Sequence, residues 1–506
     1  MTIHLHPGDC WVADPHDDSL HPDLVLPEGF TLKGANPQNM TLRLFDTWTW
    51  SLWHAQRVLL GDGEHLFWLD REALGVVLMR LDGQAPPALA SQMEGWPLEA
   101  EIGPLIDLRA LMDGLNIEVR QRRWLLADAQ GTGVAWALEH TWGEQVRTVQ
   151  FFAMSGHNQR VDELLATLPQ EQHRDQPPVA VALETFAKPR KWTTRPHTDM
   201  THDDPAGPTI KRMMAATLAL ARLTEDGLCK DIDIKFLHHY RVLIRKTRSV
   251  LSLSKGVFEP EDTAELKIEL RALAHRTNLM RDCDVHLLGR AEQEARVPER
   301  LRDGLGPLFE DLKATRDAEQ RAIAAELRDP AYHQRIEAIA ALIDGARLGP
   351  KADRPMGKLA AKLLTKALRQ VLDAGRLINE LTPDDDVHDL RLKCKKLRYL
   401  LELFRELYPR KALKPLIKSL KLLQDVLGTF NDRFVQQEAL YTWLEGRQTL
   451  PTKVGVAVGV LLAQLAAEQL QARSQVQDAF ALFDQPGLMD DLMAVTVLRR
   501  EEPALA

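Results

Sequence analysis

Cysteine is scarce: Cys10, Cys229, Cys283 and Cys394 are the four in 506 residues, and no CxxC spacing occurs. That excludes a disulfide framework and a CxxC-type zinc site, and fits a reducing cytoplasm. A signal peptide is not expected either, because MTIHLHPGDCWVADPHDD lacks a basic flank and an apolar core. The longest apolar run, VGVAVGVLLAQLAA from Val454, is shorter than a bilayer span requires and reads as a buried helix, so no membrane partner is expected. No GxxxxGK[ST], HExxH, GxSxG or Rossmann glycine fingerprint is present. No helix stripe pairs histidine with carboxylates at a metal-binding spacing, and no metal or other cofactor is expected.

What is present is a chain of two characters. Its length predicts two or three domains, and 45% hydrophobic with 27% charged residues is a globular composition. The net charge of −8 is unevenly spread: residues 1–200 hold 16 Lys/Arg against 27 Asp/Glu, and residues 201–506 hold 48 against 45. The acidic total thus hides locally concentrated positive charge after residue 200, and local fields decide what binds.

Ten of the eleven tryptophans precede residue 200, among alternating segments such as TLRLFDTWTW, HLFWLD and IEVRQRRWLLAD. Period-two alternation broken by Gly-containing turns predicts antiparallel strands, and VDELLATL predicts a helix. The stretch TTRPHTDMTHDDPAGPT, rich in Pro, Asp and Thr, reads as a boundary. Beyond it the apolar period becomes 3.6, as in RMMAATLALARL and KLAAKLLTKALRQVLDA. The expected organisation is an α+β chain: a β domain over 1–195, a linker over 196–207 and an all-helical domain over 208–495.

Within the helical part, HHYRVLIRKTR from His238 and HDLRLKCKKLR from His388 share one pattern 150 positions apart. At the same offset Arg212 meets Lys362, Arg271 meets Lys421, Asp282 meets Asp432 and Val285 meets Val435. A register kept over several helices predicts two copies, about 208–345 and 356–490, related by a pseudo-two-fold axis. At about 100° per residue, His388, Arg391, Lys395 and Arg398 fall in an arc of roughly 80°, beside the core-facing arc of Leu390, Cys394, Leu397 and Leu401. Four like charges on one stripe repel, and something anionic should offset that. Lys246 and Lys396 complete the repeated pattern; Lys267 with Arg271, and Lys414 with Lys418 and Lys421, add positive charge on flanking helices. Asp282 and Asp432 are candidate partners for the stripes, and Arg281 adds another charge.

These residues resemble the CHAD family, the conserved-histidine α-helical domain, in HHYRVLIRKTR with NLMRDCDV and in HDLRLKCKKLRYLLELF with LQDVLGTFNDRF. The resemblance covers roughly residues 205–490. It implies two four-helix bundles around a basic surface or pore that binds inorganic polyphosphate. The binding set it implies is His238, Arg241, Arg245, Lys246, Arg248, Lys267, Arg271, His388, Arg391, Lys395, Lys396, Arg398, Lys414, Lys418 and Lys421. Polyphosphate offers only charged acceptor oxygens and no bases, which suits Arg forks and Lys ammoniums. The aromatic residues near the stripes, Tyr240, Tyr399, Phe404 and Phe430, read as core rather than as stacking platforms, which disfavours base recognition.

The N-terminal part resembles the CYTH or triphosphate-tunnel fold, in RLFDTWTWSLWHAQRVLL with its Phe45-Asp46-Thr47 and in EVRQRRWLLADAQGTGVAWALEHT. The resemblance implies a barrel lined by Arg and Lys, with metal-holding glutamates. This chain departs there: no ExExK occurs, its first glutamate is Glu28, and the strand expected to carry paired glutamates reads TVQFFAMSG. Arg43, Arg57, Arg80, Arg120, Arg122 and Arg123 remain as strand cations. The expectation is a degenerate, noncatalytic, barrel-like domain open to a weaker phosphate-binding or a protein-docking role. The expected function is noncatalytic polyphosphate binding in the cytoplasm, in association with polyphosphate granules. The alternatives are triphosphate or polyphosphate hydrolysis by the N-terminal domain, and a nucleic-acid-binding or scaffold role.

Overall fold

The computed structural model describes residues 3–6, 8–16, 19–21, 24–26, 28–73, 77–189 and 192–497. The chain divides into two compact units, Met1–Trp192 and Thr193–Ala506.

The first unit is built on one antiparallel sheet. Its strands are β1 (Cys10–Ala13), β2 (Thr31–Gly34), β3 (Gln38–Thr47), β4 (Arg57–Gly61), β5 (His65–Asp70), β6 (Val77–Asp82), β7 (Leu111–Ala127), β8 (Gly133–Trp142), β9 (Val146–Ala153) and β10 (His173–Arg174). The order is β10-β1-β9-β8-β7-β3-β4-β5-β6. The long strand β7 pairs with β3 along its first part and with β2 over Trp124–Ala127. Strict alternation puts apolar residues on both faces: Val58, Leu60, Phe67 and Leu69 enter one core cluster, Leu59, Leu66 and Trp68 another. The sheet is flanked by the helices α1 (Ser51–His54), α2 (Glu99–Ile106), α3 (Asn158–Leu165) and α4 (Pro178–Phe186). Val179, Ala182 and Leu183 of α4 close the first cluster, and Ile102 and Ile106 of α2 close the second. The barrel-like expectation is corrected in one respect, for the sheet is open: among the described residues its outer strands β10 and β6 do not pair. Closure needs two edges able to hydrogen-bond along their length, and β10 offers two residues.

The second unit is helical. Its first half comprises α5 (Ala206–Arg222), α6 (Glu225–Cys229), α7 (Ile234–Leu253), α8 (Pro260–Arg276), α9 (Asn278–Leu288), α10 (Arg290–Ala295), α11 (Gly306–Arg328) and α12 (Pro330–Gly345). Its second half comprises α13 (Met356–Gly375), α14 (Asp384–Leu403), α15 (Arg410–Glu445), α16 (Thr452–Ser474), α17 (Val476–Phe483) and α18 (Leu488–Val497). Helix starts follow local chemistry. Asp233 and Asp329 accept the backbone N–H of Lys235 and Ala331 at 2.9 and 2.8 Å, prolines occupy the first turn of α8 and α12, and three aspartates open α14 against its positive end.

The apolar run from Val454 lies in α16. The segment Thr452–Phe483 is long and apolar enough to cross a membrane by length and composition, yet Val454, Ala457, Val458, Leu461 and Leu465 are buried with Leu305, Leu308, Phe309 and Leu440.

The repeat is a physical duplication. Helices α13 and α14 begin 150 residues after α5 and α7, and the unbroken α15 stands where α8 and α9 are separate. The copies meet through a reciprocal exchange of backbone bonds: Ala206 N–H donates to Arg354 C=O at 2.9 Å, and Met356 N–H donates to Asp204 C=O at 2.8 Å. Gly207 N–H donates likewise to Ala352 C=O at 2.8 Å, and Gly357 N–H to His202 C=O at 2.9 Å. Each bond maps onto its mate by the same 150-residue shift, the signature of a two-fold contact. The approach is close enough to require glycine: a Cβ on Gly357 would lie 2.2 Å from His202 Nδ1.

Candidate functional site

Helices α7 and α14, one from each copy, pack against each other. Each buries one apolar arc: Leu243, Ile244, Thr247 and Val250 on α7, and Leu390, Cys394, Leu397 and Leu401 on α14. Helical periodicity then fixes the direction of the neighbouring basic arc.

Cations of the two stripes approach across this contact at Arg245 and Lys395. The Arg245 guanidinium lies 5.8 Å from the centroid of the Tyr399 ring on α14, within cation–π range. Burial, reinforced by repulsion from Arg391 and Arg245, pushes the Lys395 ammonium down to about 8. Arg241 is likewise held below the ordinary arginine range by burial; Asp282 opposes the effect, while Arg245 and Arg281 add to it. Arg391 repeats the arrangement in the second copy, with Asp432 at 3.6 Å as its counter-charge. The two expected aspartates therefore occupy equivalent places beside equivalent arginines. The Arg241 fork is fixed by bonds to Thr277 Oγ1 and Asn278 Oδ1, both at 2.8 Å, at the break between α8 and α9. The Nε of Arg391 is a buried donor with no hydrogen-bond partner. Buried charged donors without acceptors are costly.

The histidines stand at the start of each stripe. His388 Nδ1 donates to Asn431 Oδ1 at 2.8 Å, which orients an otherwise exposed ring. His238 packs beside His239, with ring centroids 5.7 Å apart.

Other sequence candidates are not gathered into this cluster. Lys246 and Lys396 each follow a stripe residue by one position, and the 100° turn sends them elsewhere. Lys246 donates to Thr194 C=O at 2.8 Å, and Lys396 reaches Gln370 Oε1 on α13 at 3.3 Å. Arg271 lines a separate cavity of about 520 Å³ with Tyr240, Arg276, Tyr332 and Arg335. Lys267 and Arg248 are half-buried on α8 and α7, and Lys414 and Lys418 are exposed on α15. Arg398 and Lys421 share a hollow of about 260 Å³ with Arg195, Arg405 and Glu402. Arg195 and Arg405 escaped sequence reasoning. Neither carries a periodic signal: Arg405 lies in the turn that follows α14, and Arg195 in an irregular segment.

In the first unit the strand cations are only partly brought together: beyond its burial, Arg123 and Arg80 both repel a proton from His4. Arg57 pairs with Asp70 at 2.6 Å. Arg122 lies over Trp124 and Arg123 over Trp136, on opposite faces as adjacent strand positions must be. Asp46 is a structural residue: its carboxylate accepts the N–H of Thr47, Leu52 and Trp53 at 2.6, 2.9 and 2.9 Å and so holds α1. Among the described residues no group of three or more His, Cys, Asp or Glu side chains is placed to hold a metal ion.

Residues 212–441 match the family model of the CHAD domain. Two curated relatives, the uncharacterized proteins MT2285 and Rv2226 from two strains of Mycobacterium tuberculosis, are each 26% identical over 255 residues, 49% of this chain and 48% of theirs. The chain thus spans about half the length of the curated relatives it matches. Among solved structures, a CHAD domain from the plant Ricinus communis superimposes with a TM-score of 0.44 at 22% identity, over 60% of this chain and 94% of that one. PptA from Streptomyces chartreusis gives a TM-score of 0.44 at 18% identity, over 55% and 100%.

Proposed function

The helical unit carries a CHAD domain over residues 212–441, and we propose that this protein binds inorganic polyphosphate without turning it over. Arg241, Arg245, Arg391 and Lys395 grip the chain. The observation that carries this reading is the buried, unsatisfied Nε of Arg391 within a set of cations drawn from both copies. A ligand made only of anionic acceptors would satisfy that donor and relieve the mutual repulsion at once. The chemistry favours polyphosphate over nucleic acid, because Tyr399 already lies beneath Arg245 and Tyr240, Phe404 and Phe430 are buried. Those four rings are therefore not free to stack on bases. His388 adds a further donor at the start of its stripe.

The noncatalytic reading is supported in the sheet unit, where β9 carries no carboxylate and Asp46 is committed to holding α1. That unit is read as a protein-docking module, and the whole protein as cytoplasmic and granule-associated.

The test is binding of the purified chain to long-chain polyphosphate and to single-stranded DNA of equal charge, titrated across salt. Arg391→Glu with Lys395→Glu should weaken polyphosphate binding by at least about 100-fold, at about tenfold for each cation reversed. Equal affinity for DNA would favour a generic polyanion surface, and phosphate release with Mg²⁺ would establish turnover.

A further inference from the structure

The hollow beside Arg398 is not part of the cluster just described, and its composition is lopsided. Arg195, Arg398, Arg405 and Lys421 border it against one carboxylate, Glu402. Glu402 sits beneath the cations: its side chain is 19% exposed, those of Arg195 and Arg398 are 49% and 54% exposed, and they lie 3.7 and 3.0 Å from it. What faces solvent is therefore positive. Gln424 adds a second, independent sign. Its Oε1 accepts from Arg398 at 3.5 Å, while its Nε2 is a buried donor without a partner. Cations and a spare amide donor around one hollow suit a ligand that only accepts hydrogen bonds.

Arg195 arrives from outside the matched family region, which begins at residue 212. The segment Thr193–Thr198 is strapped onto the helices at both ends. Lys246 of α7 donates to Thr194 C=O at 2.8 Å, and the N–H and Oγ1 of Thr198 donate to Glu406 Oε2 at 3.2 and 3.1 Å. Within the strap, Arg195 N–H donates to Thr193 Oγ1 at 3.0 Å, a local turn that sets where the arginine leaves the backbone. The hollow is also contiguous with the cluster, because Arg398 follows Lys395 by three residues, about 4.5 Å along α14.

We propose that this hollow is a second anion seat, in which a polyphosphate chain leaving the Arg245–Lys395 cluster is clamped by Arg398, Lys421 and Gln424 of the helices and by Arg195 of the strap. The inference rests on the polyphosphate reading above and adds a length requirement to it. Tripolyphosphate is held by the cluster alone; a long chain fills both.

The experiment compares tripolyphosphate and long-chain polyphosphate binding to the full chain and to three variants. Arg195→Glu and Lys421→Glu should each weaken long-chain binding about 5- to 10-fold and lower its salt slope by about one, with tripolyphosphate affinity unchanged. Arg391→Glu should weaken both ligands. Two surface positions on separate segments are used so that one misfolded variant does not decide the result. If both hollow variants bind the long chain like wild type while Arg391→Glu does not, the second seat is refuted and the polyphosphate reading stands. If wild type binds neither probe, the reading fails and the seat with it.

Discussion

The guanidinium of Arg245 on α7 lies 5.8 Å from the centroid of the Tyr399 ring on α14. One residue belongs to each copy of the internal repeat, so the two basic stripes form a single locus rather than two independent grooves. The repulsion that Lys395 receives from both Arg391 and Arg245 has the same origin.

A shared locus makes the copies energetically dependent. Arg245→Gln and Lys395→Gln, singly and together, should show a coupling of about 0.5–3 kcal/mol in a double-mutant cycle on long-chain polyphosphate affinity. Strict additivity would mean that each stripe acts alone.

The depressed Lys395 gives binding a pH dependence of known sign. Its ammonium titrates near 8 in the folded chain against an ordinary 10.5, so affinity should fall as pH rises from 7 to 9. Binding near pH 8 should take up protons, measurable by calorimetry in buffers of different ionisation enthalpy. Lys395→Arg should keep the affinity and remove both effects, because arginine stays charged throughout.

Stability should move the other way. Lys246 is also pushed to about 8, by burial first and then by Arg195, Arg405 and Arg245, with Glu402 opposing. Between about 8 and 10.5 the unfolded chain holds protons on Lys246 and Lys395 that the folded chain has lost, so unfolding free energy from these groups rises with pH across that window. Below 8 both states are protonated and the slope vanishes. Urea denaturation from pH 7 to 10 should show less of this rise in a Lys246→Met, Lys395→Met chain.

The junction between copies should be intolerant of added volume. His202 is held by Leu407 C=O at 2.7 Å, so it cannot swing away from a Cβ placed 2.2 Å from its ring on Gly357. Gly357→Ala should cost about 1–3 kcal/mol, read as a lower urea midpoint for the helical unit. Polyphosphate affinity should drop with it if that junction also holds the two copies, and so α7 and α14, together.

Asp46 offers the converse test. Asp46→Ala strips the acceptor from three backbone N–H groups and should destabilise the sheet unit by about 2–4 kcal/mol. Polyphosphate affinity should be unchanged, because the cluster belongs wholly to the helical unit.

Whatever short-range periodicity sets was legible in the chain before any fold was known. Alternation in segments such as HLFWLD was enough for antiparallel strands, because side chains on a strand must alternate faces. The 150-residue register was enough for a duplicated helical unit, and the 100° step was enough to place Arg391 and Lys395 on one stripe beside the core. Which stripes meet was a matter of packing. The reciprocal bonds of Ala206 with Arg354 and of Met356 with Asp204 join the copies at the starts of α5 and α13; they depend on backbone geometry that no side-chain pattern records. The same one-residue step that kept Lys246 and Lys396 adjacent to the stripes in sequence gave them other partners, Thr194 C=O and Gln370 Oε1, and Arg271 went to a different cavity. Arg195 was invisible for the opposite reason: it reaches the hollow on an irregular strap, where position comes from hydrogen bonds to distant helices and not from any period in the chain.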